Sequence, residues 1–131
     1  SERELETERR IREHAREPLD STLGASLREM VALIDGSALV LSLNSAPLHI
    51  SVALDRPVIG LMAHRNPKRT GPYRFQELMV DAYGAPGEDY PVTLDTRPGG
   101  LEGVSVEDVL AKVRLWRERH AGGAGDPATD G

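Results

Sequence analysis

Cysteine is absent from this sequence, and its absence excludes several kinds of chemistry. Without a thiol the chain forms no disulfide, performs no thiolate catalysis and builds no cysteine-ligated zinc or iron–sulfur site. The nitrogen ligands that remain are His14, His49, His64 and His120. Because these histidines are scattered rather than grouped at metal-ligand spacing, we expect neither a metal site nor a cofactor.

Aromatic residues, long apolar runs and a surplus of basic residues are also lacking. Aromatics make up only 4% of the 131 residues, so the core should be aliphatic. No apolar run reaches the roughly 20 residues of a membrane-spanning helix. The formal net charge of -5 gives no electrostatic reason to bind duplex nucleic acid. The motifs of serine hydrolases, P-loop NTPases and standard dinucleotide folds are missing too. We therefore expect a cytoplasmic protein without a transmembrane segment or a nucleic-acid partner.

Two apolar runs dominate what is present. Residues 38–43 and 57–62 are nearly continuous in apolar side chains, which is typical of strands covered on both faces in a parallel sheet. The stretch between them has room for a short crossover helix, and Pro47 suits its first turn. This pattern predicts a β-α-β unit, and a weaker run at 77–80 is a candidate third strand.

Three further helices are predicted. Residues 2–16 alternate acidic and basic side chains at helical spacing, as in a solvated helix on the outside of a sheet. Ser26 and Glu29 form a capping-box signature, and Ser105 and Asp108 form another. The apolar stripe after the first box is Leu27, Met30, Val31 and Ile34. The stripe after the second box is Val106, Val109, Leu110, Val113 and Trp116.

The length fits one domain, which we place at residues 1–120. Residues 83–103 are rich in glycine and proline and predict irregular structure, and residues 121–131 predict a flexible, glycine-rich tail. The sequence begins at Ser1 in the middle of a helical charge pattern. We therefore expect it to be part of a longer chain.

The junction after the first strand is the best candidate for a binding site. In an open parallel sheet, ligands bind beyond the carboxyl ends of the strands, where helix N-termini attract anions. Asn44 or Ser45 can cap the crossover helix there, while small Ala46 lets a ligand approach the backbone. Pro47 fixes the first turn, and His49 could donate to a phosphate oxygen.

A basic loop follows the second strand, with Arg65, Lys68 and Arg69 close together. Two neighbouring strand ends could then share one anionic ligand. Each signal also has a structural interpretation, since helices need caps without any phosphate, and most charge clusters are simply solvated. His49 could equally be a packed structural residue.

With these residues in view, the chain resembles the C-terminal half of the glycosyltransferase family 9 enzymes, the heptosyltransferases, which transfer ADP-heptose or related sugars onto lipopolysaccharide cores. The likeness covers residues 1–119. It follows the order of "SLREMVALI", "ALVLSLNSAPLHISVALDRPVIGLM", "NPKRTGPY" and "VSVEDVLAKVR". In the family the central segment reads N-D-[ST]-G-P-x-H, so Ser45, Pro47 and His49 match its pattern.

This resemblance implies an α/β, Rossmann-like three-layer domain with a parallel sheet, the donor-binding half of an inverting GT-B glycosyltransferase. Residues 44–47 and His49 would then bind the diphosphate and sugar of a nucleotide-sugar donor, with ADP-linked sugars favoured, and Glu2 is a candidate for the ribose. The acceptor domain and the catalytic base lie in the family's N-terminal half, to which no segment here corresponds. The resemblance thus implies a chain that binds donor but cannot transfer sugar alone, located at the inner membrane face when complete.

Three positions depart from the family pattern. Asn44 stands where the family has aspartate, Leu43 where it has asparagine, and Ala46 where it has glycine. An amide accepts hydrogen bonds from sugar hydroxyls less strongly than a carboxylate does. These departures favour an alternative function, a non-catalytic Rossmann-like module for interaction or scaffolding.

Overall fold

The structure is a computed structural model that describes residues 2–85, 88–97 and 100–121. The helices and strands are α1 (Glu2–His14), α2 (Leu27–Asp35), β1 (Val40–Leu43), α3 (Ala46–Ala53), β2 (Val58–Met62), α4 (Pro67–Thr70), β3 (Met79–Asp81) and α5 (Val106–Trp116). Short 3-10 turns cover Gln76–Leu78 and Leu101–Gly103, and a π-helical turn, Arg117–Ala121, continues α5. Residues 122–131 of the predicted tail lie outside the described residues. None of the described helices is long and apolar enough to cross a bilayer.

The chain divides into two compact units, Ser1–Met30 and Val31–Gly131. In the first unit, α1 buries no side chain, which agrees with the solvated helix that its charge pattern predicted. Ion pairs one turn apart line this helix, including Arg12 with Glu8 at 2.9 Å. Such pairs add only a few tenths of a kcal/mol each. Because none of its side chains is buried, α1 is a solvated helix.

The capping box before α2 is confirmed. The Glu29 backbone N–H donates to Ser26 Oγ at 3.2 Å, and the Ser26 N–H donates to Glu29 Oε1 at 3.1 Å. The hydrogen bonds from the backbone and the hydroxyl of Ser26 lower the pKa of Glu29. The same reciprocal arrangement joins Ser105 and Asp108 at the start of α5.

A three-stranded parallel sheet in the order β1-β2-β3 forms the centre of the second unit. This confirms the predicted α/β class, the β-α-β unit and the third strand. Helix α3 contacts β1 and β2, and α5 contacts β2 and β3. Because Val58 and Ile59 point to opposite faces and are both buried, β2 is covered on both sides. The core cluster is Leu48, Val52, Val58, Ile59, Met62, Phe75, Leu78 and Val80.

Strand β1 corrects the prediction that both apolar runs are covered on both faces. Leu41 is 57% exposed and Leu43 is 49% exposed, and both lie on the same face of this edge strand. The predicted apolar stripes are also buried only in part, since Leu27 of α2 and Val106 of α5 are exposed. Hydrophobic periodicity correctly identified which residues share a face of β1, α2 and α5. Only part of each of these faces is covered by other elements.

Candidate functional site

The loop after β1 has the predicted position but not the predicted cap. Ser45 is the N-cap residue of α3, yet its side chain makes no capping hydrogen bond and reaches only the Leu43 carbonyl, at 3.5 Å. The Asn44 amide instead donates to Thr70 Oγ1 at 2.9 Å. Ser45 therefore holds the predicted N-cap position, but neither side chain caps α3, and that of Asn44 is held by a residue 26 positions later.

The loop after β2 is fixed by the segment that follows β3. Arg65 and Thr96 form an isolated antiparallel bridge. The Arg97 backbone N–H donates to the His64 carbonyl at 3.0 Å, and His64 Nδ1 lies 2.9 Å from the Arg97 carbonyl oxygen. These contacts hold the backbone of residues 64–65 next to the carboxyl end of β2.

A cleft of about 500 Å³ opens at the carboxyl ends of β1 and β2. We call it the strand-end cleft, and its lining residues are Leu43, Asn44, Leu61, Ala63, His64, Arg65, Leu101 and Glu102. The lining combines apolar side chains with an amide, an imidazole, a guanidinium and the carboxylate of Glu102. The topological rule for parallel sheets predicted this location.

The strand-end cleft brings together only some of the predicted site residues. Asn44 lines it, together with Arg65 of the basic loop. Ser45, Ala46 and His49 are exposed and Pro47 is half-buried, and none of these four residues lines the cleft. Between Pro47 and His49, the buried side chain of Leu48 anchors α3 to the core.

The basic loop is divided between different roles. Lys68 Nζ donates to Asp89 Oδ1 at 2.8 Å and to the Tyr90 carbonyl at 2.7 Å. Lys68 therefore joins the loop after β2 to residues 89–90. Arg65 and Arg69 line a second hollow of about 230 Å³, which we call the arginine cleft. Its full lining is Arg65, Asn66, Arg69, Thr70, Thr93, Leu94, Asp95 and Thr96. The three basic residues therefore do not converge on one ligand as predicted.

Sequence reasoning missed a polar cluster at the carboxyl end of β3. The Arg97 guanidinium lies 4.3 Å from the Tyr83 ring centre and donates to both carboxylate oxygens of Glu88, at 3.0 and 2.8 Å. Tyr83 and Tyr90 stack edge to face with ring centres 4.9 Å apart. The Tyr90 hydroxyl donates to Asp81 at the end of β3. Two buried tyrosines in a chain so poor in aromatics were the available signal.

This cluster keeps its acidic partner ionised. Hydrogen bonds from Arg97 and from the Ala85 backbone lower the pKa of Glu88 to about 2. The ion pair joins the two ends of residues 88–97, and the Tyr90 bond to Asp81 ties this segment to β3. Residues Thr93–Thr96 of the segment line the arginine cleft. The cluster is thus a support for the site rather than part of it.

Other regions contribute less to a site. A hollow of about 610 Å³ in the first unit lies between α1 and residues 19–23, lined by surface charges and exposed apolar side chains. Glu2, the candidate for a ribose contact, is exposed and lines neither that hollow nor the strand-end cleft. Within the described ranges, no three His, Asp or Glu side chains come together as a metal site requires.

Comparison with known proteins decides the family. The model of glycosyltransferase family 9 (heptosyltransferase) matches residues 1–86, which is more than half of the chain. This chain belongs to glycosyltransferase family 9. The family 9 chain is also 34% identical over 98 residues to the lipopolysaccharide core heptosyltransferase OpsX of Haemophilus influenzae.

The extent of that similarity is unequal for the two proteins. The match covers 68% of this family 9 chain but only 28% of the curated relative. No solved structure gives a significant match. Both α3 and the strand-end cleft lie mostly within the matched residues 1–86, so the family similarity includes the candidate site.

Proposed function

We propose that this chain is the donor-binding domain of a family 9 glycosyltransferase with GT-B architecture. It binds a nucleotide-sugar, with an ADP-linked heptose-like sugar favoured, at the loop of residues 44–49 and the adjoining strand-end cleft. An acceptor domain elsewhere supplies the catalytic base for direct, inverting displacement at the anomeric carbon. The chain alone binds donor without transferring sugar, and the complete enzyme works in the cytoplasm at the inner membrane face on lipopolysaccharide precursors.

The observation that carries this proposal is the position of the strand-end cleft. It lies where parallel α/β sheets bind ligands, at the carboxyl ends of two adjacent strands. Its volume of about 500 Å³ falls within the usual range for small-molecule sites. Arg65 supplies a guanidinium that suits a diphosphate, while Glu102 in the same lining carries the opposite charge.

Each candidate residue has a distinct role in this proposal. The Asn44 amide nitrogen is engaged by Thr70, which orients its oxygen as an acceptor for a sugar hydroxyl. The Ser45 hydroxyl makes no cap and only a long 3.5 Å hydrogen bond to the Leu43 carbonyl, which it can exchange for a phosphate oxygen. The N-terminus of α3, beginning at Ala46 and Pro47, adds the positive end of its dipole. Exposed His49 contributes a further donor one turn along.

The second candidate function is a non-catalytic module that keeps the fold for interaction or scaffolding. The bond from Asn44 to Thr70 favours it, because an aspartate could not donate that hydrogen bond. The amide therefore has a structural role that the family carboxylate cannot fill in the same way.

Thermal unfolding separates these two functions. A ligand that binds only the folded state raises its stability in proportion to the logarithm of the ligand concentration over Kd. We expect millimolar ADP to raise the Tm more than UDP or GDP at the same concentration and ionic strength, with inorganic phosphate as the reference. Equal Tm values with and without every nucleotide, for a chain shown to be folded by circular dichroism, would favour the non-catalytic module.

Asn44→Asp tests the loop directly. We expect ADP-sugar affinity to rise about fivefold, or about 1 kcal/mol, because a charged acceptor strengthens a hydrogen bond from a hydroxyl. The Thr70 hydroxyl can donate to the new carboxylate only by giving up its bond to the Asn66 carbonyl, which offsets part of the gain. Asn44→Ala is the matched control, and it should weaken binding. Isothermal titration would measure all three proteins, and identical affinities would remove residue 44 from the donor site.

A further inference from the structure

We propose that the arginine cleft is a second binding site, specific for an oxyanion of the phosphate class. Arg65 and Arg69 both line it, and neither makes an ion pair with another described residue. Thr93 and Thr96, whose side chains carry hydroxyl groups, line the same cleft. A guanidinium presents a planar fork of N–H donors that matches two oxygens of a phosphate.

The available donors follow from the hydrogen bonds already made. Thr70 Oγ1 donates to the Asn66 carbonyl at 3.1 Å and accepts from Asn44, so its proton is engaged. Thr93 Oγ1 accepts from the Asp95 backbone N–H at 3.3 Å, which leaves its own proton free to donate. The cleft therefore offers two guanidinium groups and hydroxyl donors around a volume of about 230 Å³, enough for one phosphate group.

The walls of the cleft are fixed by a buried residue. Asn66 is 2% exposed, and its side chain accepts from the Lys68 N–H at 2.9 Å and donates to the Pro91 carbonyl at 2.8 Å. The bridge between Arg65 and Thr96 joins the same two segments a second time. A site whose backbone is already held loses less entropy when it binds.

The carboxylate of Asp95 offsets part of the positive charge of Arg65 and Arg69. Asp95 lines the cleft, and no hydrogen bond or ion pair to its carboxylate is formed by the described residues. Two arginines and one aspartate leave a net charge of +1 among the lining residues. Asp95 thus lowers the affinity of the cleft for anions, and the neutral side chain of the Asp95→Asn variant should raise that affinity.

This site is separate from the strand-end cleft, with which it shares only Arg65. Arg69 lines the arginine cleft alone. The oxyanion can come from two sources, namely the diphosphate of the donor or an anionic group of another ligand, such as a phosphate on the acceptor. The chemistry recognised is the same in both cases.

Titration of the chain with inorganic phosphate at constant ionic strength tests the proposal. We expect Arg69→Gln to weaken phosphate binding about tenfold, since it removes a charged hydrogen-bond donor. Asp95→Asn should tighten it several-fold. Arg114→Gln, which changes the net charge equally but on the exposed face of α5, should leave it unchanged. Absence of phosphate binding to the wild-type chain, or equal effects of Arg69→Gln and Arg114→Gln, would overturn the proposal.

Competition with ADP then identifies the source. Displacement of phosphate by ADP assigns the arginine cleft to the donor diphosphate, whereas simultaneous binding assigns it to a second anionic ligand. The result also distinguishes this proposal from the proposed function. Arg69-dependent phosphate binding without any ADP binding would support the oxyanion site and reject the donor domain. ADP binding without Arg69-dependent phosphate binding would support the donor domain and reject the oxyanion site.

Discussion

Leu48→Ala is expected to lower the free energy of unfolding by about 2–5 kcal/mol, as truncation of a fully buried leucine does. Leu48 has no exposed surface and packs α3 against the sheet. Its Cδ1 would come within 3.0 Å of a Cβ placed on Gly60, so the helix and β2 approach closely at this point. Because small domains are stable by only about 5–15 kcal/mol, much of the variant should be unfolded at modest urea concentrations.

His49→Ala is the matched control at the next position. His49 is exposed and makes no hydrogen bond within the described structure, so its loss should change the unfolding free energy by less than about 0.5 kcal/mol. Urea titration of both variants measures the difference. We also expect His49→Ala to weaken ADP binding while stability is retained. A large loss of stability in His49→Ala would mean that His49 is structural, and a negligible loss in Leu48→Ala would mean that α3 is not anchored through Leu48.

The sequence predicted the first two strands and the crossover between them because runs of apolar residues are a strong local signal. The apolar runs at 38–43 and 57–62 became β1 and β2, each slightly shorter than predicted. Capping boxes are equally local, and both were confirmed. In each case the residues that determine the structure lie within a few positions of one another.

Coverage of the sheet could not be predicted in the same way. Leu41 and Leu43 are two positions apart in a strand, so their side chains share a face. This spacing does not indicate whether another element packs on that face. Both are exposed in the structure. Burial depends on contacts between distant segments, which hydrophobic periodicity does not encode.

The candidate site was predicted in its location and missed in its contacts. Parallel topology places Asn44 and Arg65 at neighbouring strand ends, and both line the strand-end cleft. The roles of Lys68 and Thr70 depend on partners 21 to 26 positions away. No local pattern distinguishes a lysine that will bind Asp89 from one left free for a ligand.

Tyr90→Phe is the second change with a large expected effect, a loss of about 1.5–3 kcal/mol at neutral pH. The buried Tyr90 ring stays in place, but the hydroxyl that donates to Asp81 is removed. The bond joins a neutral donor to a charged carboxylate, which places it among the stronger hydrogen bonds. Its loss should loosen residues 88–97 from the end of β3.

The effect of Tyr90→Phe should depend on pH in the alkaline range. Burial raises the pKa of the Tyr90 phenol above its ordinary value of 10.0, and the hydrogen bond to Asp81 and that carboxylate's charge raise it further. The folded state therefore holds this proton more tightly than the unfolded state. The stability it contributes is present below pH 10 and is lost as the pH rises toward the raised pKa. The difference in unfolding free energy between the wild type and Tyr90→Phe should therefore narrow as the pH rises above 10.

Tyr73→Phe provides the matched control, because Tyr73 is 76% exposed and makes no hydrogen bond through its hydroxyl to a described residue. Urea unfolding at neutral pH and at several pH values above 10 would measure all three proteins. We expect Tyr73→Phe to follow the wild type throughout. A constant gap between the wild type and Tyr90→Phe across this range would contradict a folded-state bond from Tyr90 to Asp81. A gap that closes would support the bond from Tyr90 to Asp81, which joins the segment that lines the arginine cleft to the end of β3.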